Sequence, residues 1–130
     1  MSSIQLFLDS VPAGFPSPAT DYIDKTLDIN EYLVKHPAAT FFVRVSGDSM
    51  IKAGIHNGDI LVIDKSLEPV NSDIVLAVLD SEYTVKRFFK SGEEMYLKPE
   101  NDNYEIINVK EFNEFSVWGV VTGVIKKIKG

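Results

Sequence analysis

Ser49 and Lys86 are the two side chains of this sequence whose types and setting suit covalent chemistry. Ser49 lies in Ser46-Gly47-Asp48-Ser49-Met50, directly after the apolar run Thr40 to Val45. A strand that ends at a glycine can turn sharply, lifting the following serine at the sheet end. Successive backbone N–H groups in such a turn can point together at one oxygen. Lys86 lies in the alternating run Tyr83 to Phe89. Period 2 puts Thr84, Lys86 and Phe88 on one face and Tyr83, Val85, Arg87 and Phe89 on the other. Neither face is cleanly polar, which leaves Lys86 open to partial burial beside Phe88. Burial disfavours the ammonium form, and a neutral lysine can take the proton of a serine hydroxyl. Each signal alone also has an ordinary reading. Ser-Gly-Asp-Ser is common turn composition, and a strand lysine often keeps its head in water along an edge.

The other options are fewer. The chain has two histidines and no cysteine. His36 precedes Pro37 at an expected helix stop, and His56 lies in a loop two residues before Gly58; both read as solvated. A serine–histidine–carboxylate triad therefore lacks a base, and a zinc site lacks ligands. No metal or cofactor is expected. Serine–lysine chemistry is the remaining nucleophilic option.

The elements that would position this pair read as β-structure. Thr40 to Val45, Ile60 to Asp64 and Ile74 to Asp80 are rich in branched and aromatic residues. Turn signals divide them at Gly47-Asp48, Asn57-Gly58-Asp59 and Asn71-Ser72-Asp73. Asp80-Ser81-Glu82 is a tight connection into Tyr83 to Phe89, which predicts a hairpin. Met95 to Lys98 and Val117 to Ile128 supply the last strands. Before them, Asp28 with Glu31 resembles a capping box for a short helix that holds Leu33 and Val34 and stops at His36-Pro37. Residues 1–28 read as a docking arm, because Pro12, Gly14, Pro16 and Pro18 break both helix and ladder. Within it Ile4, Leu6, Phe7 and Leu8 suit a short apolar strand.

Composition bounds the rest. A length of 130 residues implies one domain with a real core. Apolar runs fall far short of the ~18 residues of a membrane span, and no secretory leader pattern opens the chain. The expected location is the cytoplasm, with no membrane partner. There are 19 acidic against 13 basic residues, a net charge of -6. Phosphate binding draws on lysine and arginine, so strong direct DNA binding is not expected. Any work on DNA would pass through a protein partner.

Three ordered segments resemble UmuD-type SOS mutagenesis proteins, which belong with the LexA-like self-cleaving peptidases. Val11-Pro12-Ala13-Gly14-Phe15-Pro16-Ser17-Pro18-Ala19-Thr20-Asp21-Tyr22 resembles their cleavage-site segment. Phe41 to Met50 resembles the nucleophile segment, and Tyr83-Thr84-Val85-Lys86 resembles the lysine strand, 37 residues beyond Ser49. Asp28 to Pro37, Gly54 to Asp64, Asp73 to Val78 and Trp118-Gly119-Val120-Val121 match as well. The resemblance implies a mainly β fold like the LexA C-terminal domain, with bent sheets, one or two short helices and an extended N-terminal arm. It divides the chain into a cleavable arm, 1–28, and a serine–lysine peptidase-like domain, 29–130.

The same resemblance implies the site. Ser49 is the nucleophile and Lys86 the general base. Backbone N–H groups of Asp48 and Ser49 are the oxyanion donors, the cut falls between Ala13 and Gly14, and Val11 fills an apolar subsite. It also implies regulation and partners: a RecA filament on single-stranded DNA promotes self-cleavage, and the trimmed homodimer serves a UmuC-type translesion polymerase. Pro12 departs from the pattern beside the scissile residue, where it fixes φ and removes a donor, which implies slower cleavage.

Two other classes compete. One is a LexA-related transcriptional regulator, yet residues 1–28 with this proline cluster cannot hold a helix-turn-helix. The other is a non-catalytic β interaction module; Phe88 and Phe89 among Lys86, Arg87 and Lys90 would even suit base stacking, which the acidic balance opposes.

Overall fold

The structure is a computed structural model that describes residues 4–7, 13–16 and 23–130. Val11 and Pro12 lie outside the described residues, as do Leu8 and Pro18. The chain divides into two units, Met1–Lys35 and His36–Gly130.

In the first unit, strands β1 (Ile4–Phe7) and β2 (Ile23–Leu27) pair antiparallel, Ile4 opposite Leu27 and Phe7 opposite Ile23. The apolar strand expected near the start is present as β1. Helix α1 spans Ile29–Leu33. Asp28 caps it as its composition predicts, its Oδ1 accepting from Asn30 N at 3.0 Å and Glu31 N at 3.4 Å. The helix ends sooner than expected. Val34 is already extended, and Pro37–Ala39 instead makes a 3₁₀ turn in the second unit.

The second unit holds seven strands: β3 (Thr40–Arg44), β4 (Ile60–Asp64), β5 (Ile74–Leu79), β6 (Glu82–Ser91), β7 (Glu94–Lys98), β8 (Ile107–Asn108) and β9 (Phe115–Ile125). They form one antiparallel sheet in the order β3-β4-β9-β5-β6-β7-β8. The mainly β fold is therefore as expected. The hairpin is also present: Leu79 pairs with Glu82 across Asp80 and Ser81, at φ 46° and 72°. Positive φ at both central residues matches the right-handed twist of the flanking strands.

Strand β9 is the spine. Its first half pairs with β5 and its second with β4, and Val120 faces Val75 on one side and Asp64 on the other. Bulges at Val62/Ile63 and Leu76/Ala77 bend the sheet where β9 changes partner. Gly119 sits at this crossing because a Cβ there would collide with Ile63 Cγ2 and crowd the Asp64 carbonyl. Strand β5 alternates its side chains between two cores. Val75, Ala77 and Leu79 join Phe88, Leu97 and Val120. Leu76 joins Met50, Ile55, Leu61 and Ile63.

One mismatch in strand length prepares the site. Strand β6 pairs with β5 from Glu82 to Arg87, but with β7 only from Arg87 to Ser91. The outer edge of β6 is thus free of β7 at Thr84, Val85 and Lys86.

Candidate active site

The segment that carries Ser49 leaves β3 through a fixed turn. Val45 N donates to Asp59 O at 2.8 Å and Gly58 N donates to Val45 O at 2.9 Å, tying the strand end to the next loop. Gly47 then takes φ 94°, a conformation that a β-carbon strains, while its N–H donates to Asn57 Oδ1 at 2.9 Å. Two residues later Ser49 is half-buried, and Met50, only 3% exposed, anchors the segment in the second core. The Met50 carbonyl accepts from Ala53 N and Ile55 N, which curls the following chain beneath it.

Strand β6 brings Lys86 to this serine. Lys86 is 8% exposed, and its Nζ lies 3.0 Å from Ser49 Oγ, 2.6 Å from Thr84 Oγ1 and 3.1 Å from the Val85 carbonyl. Among the described residues no carboxylate pairs with it. Burial pushes its pKa below the ordinary lysine value, because desolvation penalises the ammonium without an anion to offset it. Lys86 Nζ donates to Thr84 Oγ1, Val85 O and Ser49 Oγ. An ammonium fills the three contacts with its three hydrogens, and a neutral amine, with two hydrogens and one lone pair, fills them when the Ser49 hydroxyl donates instead.

Backbone donors stand beside the pair. Among the described residues, neither Asp48 N–H nor Ser49 N–H has a hydrogen-bond acceptor. Their carbonyls, in contrast, are both engaged. Asp48 O accepts from Asn101 Nδ2 at 2.9 Å, and Ser49 O accepts from Glu100 N at 2.8 Å. The Asp48 carboxylate accepts from the Tyr104 hydroxyl at 2.5 Å, which pushes the phenol pKa up. Glu100 is held in turn by Arg87, whose Nε donates to Glu100 Oε1 at 2.8 Å. Sequence reading assigned no role to Asn101, Tyr104 or Glu100. Polar residues between two strands look like any loop, and nothing local signals which distant carbonyl they will meet.

Ser49 and Lys86 open onto a cleft of about 280 Å³, walled by Val43, Val45, Met50, Leu76 and Tyr83. A larger groove of about 660 Å³ runs past Leu67, Val70, Phe88 and Phe115, and its lining contains no serine, threonine, cysteine or histidine. The smaller cleft is the one that sets a serine hydroxyl beside a buried lysine.

Ala13 and Gly14 lie on an exposed bend of the first unit, with open space where a Gly14 side chain would be. His36 is not simply solvated. Its Nδ1 lies 2.6 Å from Asp64 Oδ2 and 3.2 Å from Ser66 Oγ. Serine, histidine and aspartate thus meet, but both oxygens share the same ring nitrogen, and Ser66 Oγ donates directly to Asp64 Oδ1 at 2.6 Å. A triad needs serine and carboxylate on opposite ring nitrogens, so this cluster is structural. His56 Nδ1 lies 3.0 Å from Lys126 Nζ, and His56 is not among the residues that line the cleft. Among the described residues, no group of three or more histidine and carboxylate side chains is placed to hold a metal, and no helix is long and apolar enough to cross a membrane.

Comparison with known proteins shows the family to which the chain belongs. A family model described as Peptidase S24-like matches residues 5–122. Protein SamA of Salmonella typhimurium is 45% identical over 98% of this chain and 89% of its own length. Protein ImpA of Escherichia coli is 47% identical, covering 95% of this chain and 84% of its own. Protein MucA of Escherichia coli is 44% identical, over 92% and 82%.

Proposed function

This chain belongs to the Peptidase S24-like family, and on that footing we propose that it is a self-cleaving serine–lysine peptidase of SOS mutagenesis. Ser49 is the nucleophile, Lys86 the general base, and Ala13–Gly14 the bond cut. The supporting observation is the 3.0 Å contact of a buried, carboxylate-free Lys86 Nζ with Ser49 Oγ.

The chemistry follows from that contact. Neutral Lys86 takes the Ser49 proton as Oγ attacks the Ala13 carbonyl carbon. The negative oxygen of the tetrahedral intermediate is bound by the Asp48 and Ser49 N–H groups, which have no competing acceptor among the described residues. Such preorganised donors supply much of the stabilisation in acyl transfer. Collapse breaks the C–N bond as the Lys86 ammonium protonates the Gly14 nitrogen, releasing the shortened chain. A water, deprotonated by Lys86, then frees the Ala13 acyl group from Ser49. Small residues on both sides of the bond suit a narrow cleft, and Val11 fills its apolar wall.

In this reading the arm, 1–28, is substrate for the peptidase-like domain, 29–130. A RecA filament on single-stranded DNA promotes the cut in the cytoplasm, and the trimmed homodimer serves a UmuC-type translesion polymerase. The net charge of -6 supports action through proteins instead of direct DNA binding. Incubation with activated RecA filament, followed by intact mass and N-terminal sequencing, tests the reading. The expected product lacks 13 residues, leaves 117 of the 130 and begins Gly14-Phe15-Pro16-Ser17, and Ser49→Ala protein stays whole. Wild-type protein that remains intact under the same treatment contradicts it.

A further inference from the structure

We propose that Asn101 is a positioning residue for the peptidase reaction, clamping the Asp48 carbonyl so that the Ser49 backbone N–H is fixed toward the nucleophile's side of the turn. The inference rests on the serine–lysine reading above and deepens it.

The argument begins with the peptide unit. In a trans peptide the C=O of one residue and the N–H of the next point in opposite directions. The Asp48 carbonyl is bound by Asn101 Nδ2 at 2.9 Å, so the N–H of Ser49 is directed away from the loop that carries Asn101. The next peptide is fixed in the same manner, since Ser49 O accepts from Glu100 N at 2.8 Å. Two consecutive peptide planes around the nucleophile are therefore held by this loop, and Ile51 N adds a longer bond of 3.4 Å to the Asp48 carbonyl.

That loop is itself braced. Asn101 is 7% exposed, and its Oδ1 accepts from Asn103 N at 3.0 Å, which fixes the amide's orientation. Tyr104 N donates to Asn101 O at 3.1 Å, closing the turn, and the Tyr104 hydroxyl holds the Asp48 carboxylate at 2.5 Å. Lys52 N donates to Glu100 O at 2.8 Å, so Glu100 bridges the chain on both sides of Met50. Finally Arg87, the residue after the base, donates to Glu100 Oε1 at 2.8 Å and to Ser72 O at 2.6 Å. The loop that orients the serine is thereby tied to the strand that carries the lysine. A buried amide whose donor and acceptor are both engaged is costly to replace, and here the donor holds the turn beside Ser49 while the acceptor holds Asn101's own loop.

The test uses the full chain, with self-cleavage rates measured by intact mass across a pH series for wild type, Ser49→Ala, Asn101→Ala and Tyr104→Phe. Wild-type cleavage that Ser49→Ala abolishes upholds the underlying reading; cleavage that survives Ser49→Ala sinks that reading and this inference with it. Given Ser49-dependent cleavage, Asn101→Ala should lower the alkaline plateau rate about tenfold, the weight of one ordinary hydrogen bond. The pH midpoint of its rate profile should not move, because the burial of Lys86 does not depend on Asn101. A folded Asn101→Ala protein with the wild-type plateau overturns the inference. So does a slower one whose midpoint has risen, since that marks a general loosening that rehydrates Lys86. If Asn101→Ala does not fold, Tyr104→Phe decides by the same two readouts: a lowered plateau with an unmoved midpoint supports the clamp, and a wild-type plateau or a raised midpoint overturns it.

Discussion

Thr84 Oγ1 lies 2.6 Å from Lys86 Nζ, closer than the 3.0 Å between Nζ and Ser49 Oγ. Residues two apart on a strand share a face, so Thr84 is placed by register to take one amine hydrogen and aim the lone pair at the serine. Thr84→Val keeps the branched shape and removes the acceptor. Self-cleavage should then slow about tenfold at the plateau, as the loss of one hydrogen bond implies. Its pH midpoint should not rise, because the acceptor that is lost had favoured the charged amine. Time courses by intact mass check this, and an unchanged rate would show that Thr84 does not orient the base.

The arm can reach either its own site or that of a second copy. Gly14 to Asp28 is 15 residues, which extended span up to ~50 Å, against a radius of gyration of ~14 Å for a domain of this size. We propose that a second copy in a homodimer makes the cut. Ser49→Ala protein has a cleavable arm and no nucleophile; Gly14→Lys protein has a working site and a blocked arm. Mixed under activating conditions, they should yield clipped Ser49→Ala chains. If subunits exchange and no clipped chain forms, cleavage occurs within one chain.

Much of this arrangement is legible in the sequence, for a physical reason. Alternation and turn residues are local signals, so β4 stands at its expected limits and β3, β5 and β6 shift by a few residues at their ends. The β5–β6 hairpin follows from a two-residue turn between alternating runs. Strand β8, with two residues, is too short to carry a period. The bulges that let β9 serve both β4 and β5 depend on long-range pairing and leave no local mark beyond Gly119. The site divides in the same way. Ser49 and Lys86 are named by their segments, whereas Asn101, Tyr104 and Glu100 meet Asp48 and Ser49 only after the sheet has formed.

Gly119 carries a packing prediction. A methyl group there meets Ile63, which is fully buried, and the backbone of Asp64. Neither can retreat without disturbing the β4–β9 pairing. Gly119→Ala should destabilise the protein by about 1–3 kcal/mol, the usual cost of overpacking. Chemical denaturation in a Ser49→Ala background avoids interference from clipping. A midpoint equal to that of the parent would mean the crossing has slack.

Asp64 carries a pH prediction. The hydrogen bond from His36, and then that from Ser66, lower its pKa from 3.8 to about 2. A carboxylate with a depressed folded pKa adds stability that is fully present above 3.8 and is lost as pH falls to about 2. Asp64→Asn should therefore be less stable than the parent at pH 5 to 7, and the gap should narrow as pH falls through that window. Stability curves for both proteins, again with Ser49→Ala, give the comparison. A gap that stays constant down to about pH 2 would remove the carboxylate's charge from the account.

The central claim is that a desolvated Lys86 deprotonates Ser49, and the pH dependence of spontaneous self-cleavage tests it most directly. Burial lowers the Lys86 pKa from its ordinary 10.5, so the neutral fraction grows as pH rises and levels at a lower pH than it would for an exposed lysine. Intact mass measured over time, without RecA, should show the wild-type rate climbing with pH and then reaching a plateau. Ser49→Ala and Lys86→Ala should show no product while keeping the fold. Lys86→Arg should also be inactive, because a guanidinium stays protonated in proteins. A Lys86→Ala protein that clips itself at the wild-type rate, or a wild-type rate that is flat with pH, would contradict the mechanism.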